Sequence, residues 1–123
     1  MDFYICERCG NILNFFASSD KPVTCCNLPL SLLATNTTDL GHEKHVPIIS
    51  KNGNTICVEV GIEAHPMMCE HWIQQIVLVT KKTRMIATLN YDDVPKVYFN
   101  LNDGDDAVTA YSYCNIHGLW NTY

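Results

Sequence analysis

From about residue 40 onward, apolar and polar positions alternate in short runs. Ile56, Val58 and Val60 interleave with Cys57 and Glu59, the two-residue period of a strand with one buried face. Val97, Phe99 and Leu101 interleave in the same way with Tyr98 and Asn100. Residues 73–79 form a mostly apolar, β-branched run, and 85–89 a shorter one. Residues 107–113 are rich in Thr, Val and Tyr. Turn chemistry separates the runs: Lys51-Asn52-Gly53-Asn54, Tyr91-Asp92-Asp93 and Asn102-Asp103-Gly104-Asp105-Asp106. No stretch sustains a helical period with caps, and no internal repeat is visible. Short strands at near-regular spacing predict an all-β sandwich.

The first 36 residues follow another pattern. Their apolar positions (Phe3, Ile5, Ile12, Leu13, Phe15, Phe16) are too few to bury a core unaided, so this head calls for a staple. The polar run Thr35-Asn36-Thr37-Thr38-Asp39 reads as the linker. The expected organisation is therefore a small head, 1–36, followed by a sandwich, 37–123.

Composition narrows the function. The chain has 123 residues and a net charge of -5, a poor match for nucleic acid or an anionic membrane. Its only basic cluster, Lys81, Lys82 and Arg84, reads as a solvated turn between strands. No apolar run reaches the roughly 20 residues that span a bilayer. The start, MDFYICERC, lacks the basic and apolar regions of a secretory signal, so a cytoplasmic location is expected. In a reducing compartment, seven cysteines point to metal binding or chemistry before disulfides.

Four of these cysteines form the first constellation: Cys6-x2-Cys9, and Cys25-Cys26 after fifteen intervening residues. A CxxC pair can turn both sulfurs toward one ion, and Gly10 suits the tight turn beside it. A second pair completes a four-sulfur tetrahedron. Adjacent cysteines are unusual for zinc, yet spacing alone leaves both zinc and iron open.

The second constellation is spread over three segments: His42-Glu43-Lys44-His45-Val46-Pro47, Glu63 to His71, and Cys114-Asn115-Ile116-His117-Gly118-Leu119-Trp120. A short Pro-containing loop links His65 and His71 and lets both rings reach one ion. Cys114 and His117 can chelate as a pair, and His45 completes the set. Four neutral nitrogens and one thiolate exceed the needs of structural zinc. His42 is left out as a surface residue. Pro47 and Pro66 stiffen the ligand loops. Trp120 either shields the thiolate side of the site or simply packs in the core. Cys57 is read as a packed strand residue. Cys69 is either an oxidisable surface thiol or a passive one.

These segments resemble the superoxide reductase family of the two-iron desulfoferrodoxin type, in matching order over nearly the whole chain. The head resembles desulforedoxin, adjacent cysteine pair included. The resemblance implies a mainly β protein: a small desulforedoxin-like metal-binding domain followed by an immunoglobulin-like β-sandwich, assembled as a homodimer. It implies a rubredoxin-type iron on Cys6, Cys9, Cys25 and Cys26. It also implies a catalytic iron with His45, His65, His71 and His117 around its equator and Cys114 on its axis. The implied activity is one-electron reduction of superoxide to hydrogen peroxide, with rubredoxin or a similar small protein as electron donor. Lys44, beside His45, is then either the residue that steers superoxide against the net charge or a solvated surface lysine, and the resemblance makes Glu43 the carboxylate that fills the open position in the ferric state. Two rival readings account for less of the pattern: a pure electron carrier, and a zinc-stapled binding module without catalysis.

Overall fold

The computed structural model describes residues 1–36, 42–61 and 65–122, and of His42 and Glu43 the backbone alone. The chain divides into two compact units, Met1–Ala34 and Thr35–Tyr123.

The first unit consists of five two-residue strands. β1 (Tyr4–Ile5) lies between β2 (Ile12–Leu13) and β5 (Ser31–Leu32), while β3 (Thr24–Cys25) and β4 (Leu28–Pro29) form a separate hairpin. Its one buried apolar side chain among the described residues is Cys6. Such a unit buries too little apolar surface to offset chain entropy without a cross-link.

The second unit is a β-sandwich. One sheet has the order β10-β7-β6 and the other β12-β11-β8-β9, all pairs antiparallel. The first sheet contains β6 (Pro47–Asn52), β7 (Thr55–Val60) and β10 (Lys96–Asn100). The second contains β8 (Ile73–Thr80), β9 (Arg84–Thr88), β11 (Ala107–Cys114) and β12 (Gly118–Asn121). Three strands against four is the immunoglobulin-type arrangement. Period two does what the pattern predicts: Ile56, Val58 and Val60 are wholly buried in the core with Ile73, Ile76, Leu78, Ala110 and Cys114. Lys81 and Lys82 sit in the turn between β8 and β9, with Arg84 opening β9.

Three features depart from the alternation pattern. β6 and β12 carry no clear apolar alternation, because β6 is an edge strand and β12 is only four residues long. One helical turn, α1 (His42–His45), precedes β6. Of the expected linker, Asn36 bridges to Trp120 beside β12, and its backbone N–H donates to the Leu119 carbonyl at 2.8 Å; 37–39 lie outside the described residues.

β11 pairs with β8 through a register shift: Tyr113 faces Gln75, but Cys114 faces Ile73. Gln74 is the extra residue, and this bulge keeps both Ile73 and Ile76 in the core. Ala110, Ser112 and Cys114 share the inward face of β11, which delivers the Cys114 thiol, wholly buried, to one end of the sandwich.

Candidate metal centres

In the head, a knuckle forms around Cys6 and Cys9. The Gly10 N–H donates to the Cys6 carbonyl at 2.8 Å, the Cys6 N–H donates to the Asn11 carbonyl at 2.9 Å, and Gly10 adopts φ +81°. That φ is open to glycine at little cost. The second pair sits in the β3–β4 hairpin. Cys25 pairs with Leu28, so Cys26 and Asn27 form a two-residue turn, with φ of 53° and 60°. Two positive φ values are the mark of a type I′ turn, which joins such hairpins best. A cysteine in this conformation costs roughly 1–2 kcal/mol, and the adjacent pair is thereby splayed around the bend.

The four sulfurs converge: Cys9 Sγ lies 3.6 Å from Cys25 Sγ, and Cys25 Sγ lies 4.0 Å from Cys26 Sγ. Four thiolates at about 2.3 Å from one ion on a tetrahedron would stand about 3.8 Å apart. All seven cysteines are free thiols. Their ionisation is divided. The Cys9 backbone amide draws Cys6 down to about 6, while hydrogen bonds with Cys9 and Cys25 push Cys26 up to about 12. Hydrogen bonds with Cys6 and Cys9 also raise Cys25. Four neighbouring thiols cannot all ionise by themselves; a cation at their centre is what would let them.

In the sandwich, His45, His65, His71, Cys114 and His117 bring their ligand atoms within 4.8 Å of one another. His45 ends α1 and is buried, its carbonyl accepting from the Ser112 hydroxyl at 2.8 Å. His65 is buried, and its Nδ1 lies 2.7 Å from the Pro66 carbonyl. A carbonyl only accepts, so Nδ1 carries the proton and Nε2 keeps its lone pair. His71 sits in a tight loop: the Met68 N–H donates to the His71 carbonyl at 2.9 Å, and the His71 N–H to the Met68 carbonyl at 3.0 Å. His117 occupies the β11–β12 turn and is exposed. Its N–H donates to Cys114 Sγ at 3.4 Å, and its Nδ1 lies 3.8 Å from that sulfur. Trp120 stacks on His45 (centroids 4.8 Å apart, planes at 17°) and donates its indole N–H to the His117 carbonyl at 3.1 Å. It therefore packs against the His45 imidazole.

The donor set suits a metal on three counts. The Nε2 atoms of His65 and His71 are buried with no hydrogen-bond partner, a state that costs roughly 1–3 kcal/mol each unless something satisfies them. His45 Nε2 and His117 Nδ1 stand 3.0 Å apart, the separation expected, at about 3 Å, of two nitrogens bound at right angles at about 2.1 Å. Burial holds His65 down to about 4 and lowers His71 as well, so both rings are neutral ligands at neutral pH.

The Desulfoferrodoxin family profile matches residues 37–123. The chain belongs to the desulfoferrodoxin family. It is 40% identical over 122 residues to a desulfoferrodoxin homolog of Archaeoglobus fulgidus, covering 99% of this chain and 96% of that one. It is also 40% identical over 122 residues to the desulfoferrodoxin of Syntrophotalea carbinolica, covering 99% and 95%. The crystal structure of the superoxide reductase from Treponema pallidum superposes with a TM-score of 0.81 at 31% identity, covering 98% of this chain and 95% of that one. The four-thiol and five-donor clusters correspond to the two iron centres of desulfoferrodoxins.

The other residues singled out in the sequence are placed as follows. Lys44 is exposed, next to buried His45. The side chains of Glu43 and His42 lie outside the described residues. Cys57, half-buried on β7, faces Tyr98 and Ser50 across the strands. Cys69 is exposed and donates its thiol proton to the Glu70 carboxylate at 2.8 Å, which raises the one and lowers the other. Sequence reasoning missed Ser112 and the bridging contacts of Asn115. Asn115 stood inside a recognised segment, but Ser112 carried no signal before the inward face of β11 was known. Among the described residues, no helix is long and apolar enough to cross a membrane.

Proposed function

We propose that this chain is a superoxide reductase, converting superoxide, one electron and two protons into one hydrogen peroxide at the five-donor centre, in superoxide detoxification. The observation that carries this reading is a set of four imidazoles and one thiolate that is buried at His45, His65 and Cys114 but exposed at His117. Ferrous iron held by these five residues would supply the electron and bind a small anion.

The residues have separable tasks. Four neutral imidazoles leave a cation's charge largely uncompensated and so favour an anionic substrate. The Cys114 sulfur donates electron density from the buried side, held by the His117 N–H at 3.4 Å. The exposed Lys44 ammonium counters the chain's net charge of -5 and draws superoxide to the opening, where it orders a water that delivers the proton. By family resemblance, Glu43 would offer its carboxylate to that ion in the oxidised state. The head, 1–36, is a rubredoxin-type iron domain acting as electron relay or staple, and 37–123 is the catalytic domain. Family resemblance supports rubredoxin or a similar small protein as donor and a homodimer, and the seven free thiols suit a reducing, cytoplasmic site of action.

Rapid mixing of the fully reduced protein with superoxide tests the reading. One peroxide per superoxide consumed, with no dioxygen released, is the expected stoichiometry. Dioxygen release with half that peroxide yield would mean dismutation and would overturn it.

A further inference from the structure

His71 reaches the cluster from a loop, not from a strand, and something must fix that loop against the Cys114–His117 turn. The side chain of Asn115 bridges the two. Its Oδ1 accepts the Trp72 N–H at 2.9 Å, and its Nδ2 donates to the Glu70 carbonyl at 3.0 Å. Its backbone N–H also donates to the Trp72 carbonyl at 3.3 Å. The peptide groups on both sides of His71 are thus held by a single residue. That residue stands directly after ligand Cys114 and two before ligand His117. His71 in turn places a buried Nε2 among the other donors.

We propose that Asn115 is a positioning residue that locks His71 to the Cys114–His117 chelate, so that three of the five donors move as one body. The inference rests on the metal-site reading of this cluster. It does not depend on the reaction catalysed there.

An amide suits this task and its near-isosteres do not. One end must accept and the other must donate, in one plane, across about the width of a single residue. Aspartate keeps the acceptor for the Trp72 N–H but sets a carboxylate oxygen against the Glu70 carbonyl. Alanine removes both bonds. Partners of this kind that orient ligands typically change metal affinity by about 10- to 100-fold when lost.

The test uses the iron-loaded protein with Asn115→Ala and Asn115→Asp. Iron release to a chelator is followed at both centres, with the head's four-thiol centre as internal reference, alongside the EPR spectrum of the oxidised sandwich centre. The expected result is release from the sandwich at least ten times faster for Asn115→Ala. Asn115→Asp should fall between, with unchanged release from the head and an altered EPR line shape. Should Asn115→Ala not fold, Asn115→Asp decides through the same two readouts. Release kinetics and EPR spectra matching the unsubstituted protein would overturn the proposal, even if thermal stability fell. Faster release from the sandwich of Asn115→Ala, in a protein whose unsubstituted form fails to reduce superoxide, would uphold the positioning role and overturn the catalytic reading alone.

Discussion

Replacing Trp120 separates two things its indole does. The ring is 6% exposed, stacks on His45 at 4.8 Å, and holds the His117 carbonyl through a 3.1 Å hydrogen bond. In Trp120→Phe a smaller ring keeps the stack but cannot donate. The lost hydrogen bond is worth about 1 kcal/mol net, and the smaller buried ring about another 1 kcal/mol. Trp120→Ala removes the stack too and leaves a cavity, for about 3–5 kcal/mol. If the hydrogen bond acts on His117 as a ligand, its share appears in metal binding, where about 1.4 kcal/mol is a factor of ten. Trp120→Phe should therefore weaken metal retention in the sandwich several-fold while lowering the stability of the metal-free protein by about 1–2 kcal/mol. Denaturant titration of the metal-free protein gives the second quantity, and chelator competition on the loaded protein gives the first. Equal retention in Trp120→Phe and the unsubstituted protein would refute the ligand-holding role and reduce Trp120 to core packing.

Lys44→Ala should slow the second-order reaction with superoxide by a few-fold to about tenfold at low ionic strength and flatten its salt dependence; an unchanged low-salt rate would remove Lys44 from the mechanism. The metal-free sandwich should lose stability as pH falls. Burial holds His65 near 4 in the folded state against an ordinary 6.5, so between those values only the unfolded chain takes up the proton. The loss begins as pH drops through about 6.5 and levels off below about 4, reaching at most about 3 kcal/mol from His65, with His71 acting in the same direction. A denaturation midpoint that is constant between pH 7 and pH 5 would contradict it. Removing both metals should melt the head and leave the sandwich folded, because among the described residues every buried apolar one except Cys6 belongs to the second unit. Amide exchange in the metal-free protein reports each unit, and persistent protection in Met1–Ala34 would refute the need for a staple.

Much of the sandwich was legible because its strands bury one face each. Ile56, Val58 and Val60 announce β7 through a strict period of two, and all three are wholly buried. Residues 73–79 read as a strand without a clear inward face, and the reason is physical: the extra residue Gln74 shifts the phase, so Ile73 and Ile76 both point inward at odd spacing. β12 was legible only as a motif. Its residues Gly118, Leu119 and Trp120 serve the turn and the imidazoles before they serve an alternation. The adjacent pair Cys25-Cys26 looked unusual for zinc because sequence spacing does not reveal a type I′ turn. With positive φ at Cys26 and Asn27, neighbours in sequence become separate corners of one cluster.

The two centres differ in what holds their ligands. Cys6 and Cys9 share a knuckle, Cys25 and Cys26 share a hairpin turn, and both lie in a unit with almost no core of its own. Those ligands are brought together by local turns, and the ion supplies much of what a core would. In the sandwich, by contrast, His45 and His117 are 72 positions apart yet present nitrogens 3.0 Å from one another. Closing so long a loop costs entropy that a single contact cannot offset. The cost is met instead by the packed strands: the inward face of β11 carries Cys114, and its Ser112 hydroxyl holds the His45 carbonyl. Geometry imposed by the fold rather than by the ion lets a site keep a position open instead of collapsing onto its metal. That difference, more than the ligand types, supports the proposal that places substrate chemistry in the sandwich and relay or support in the head.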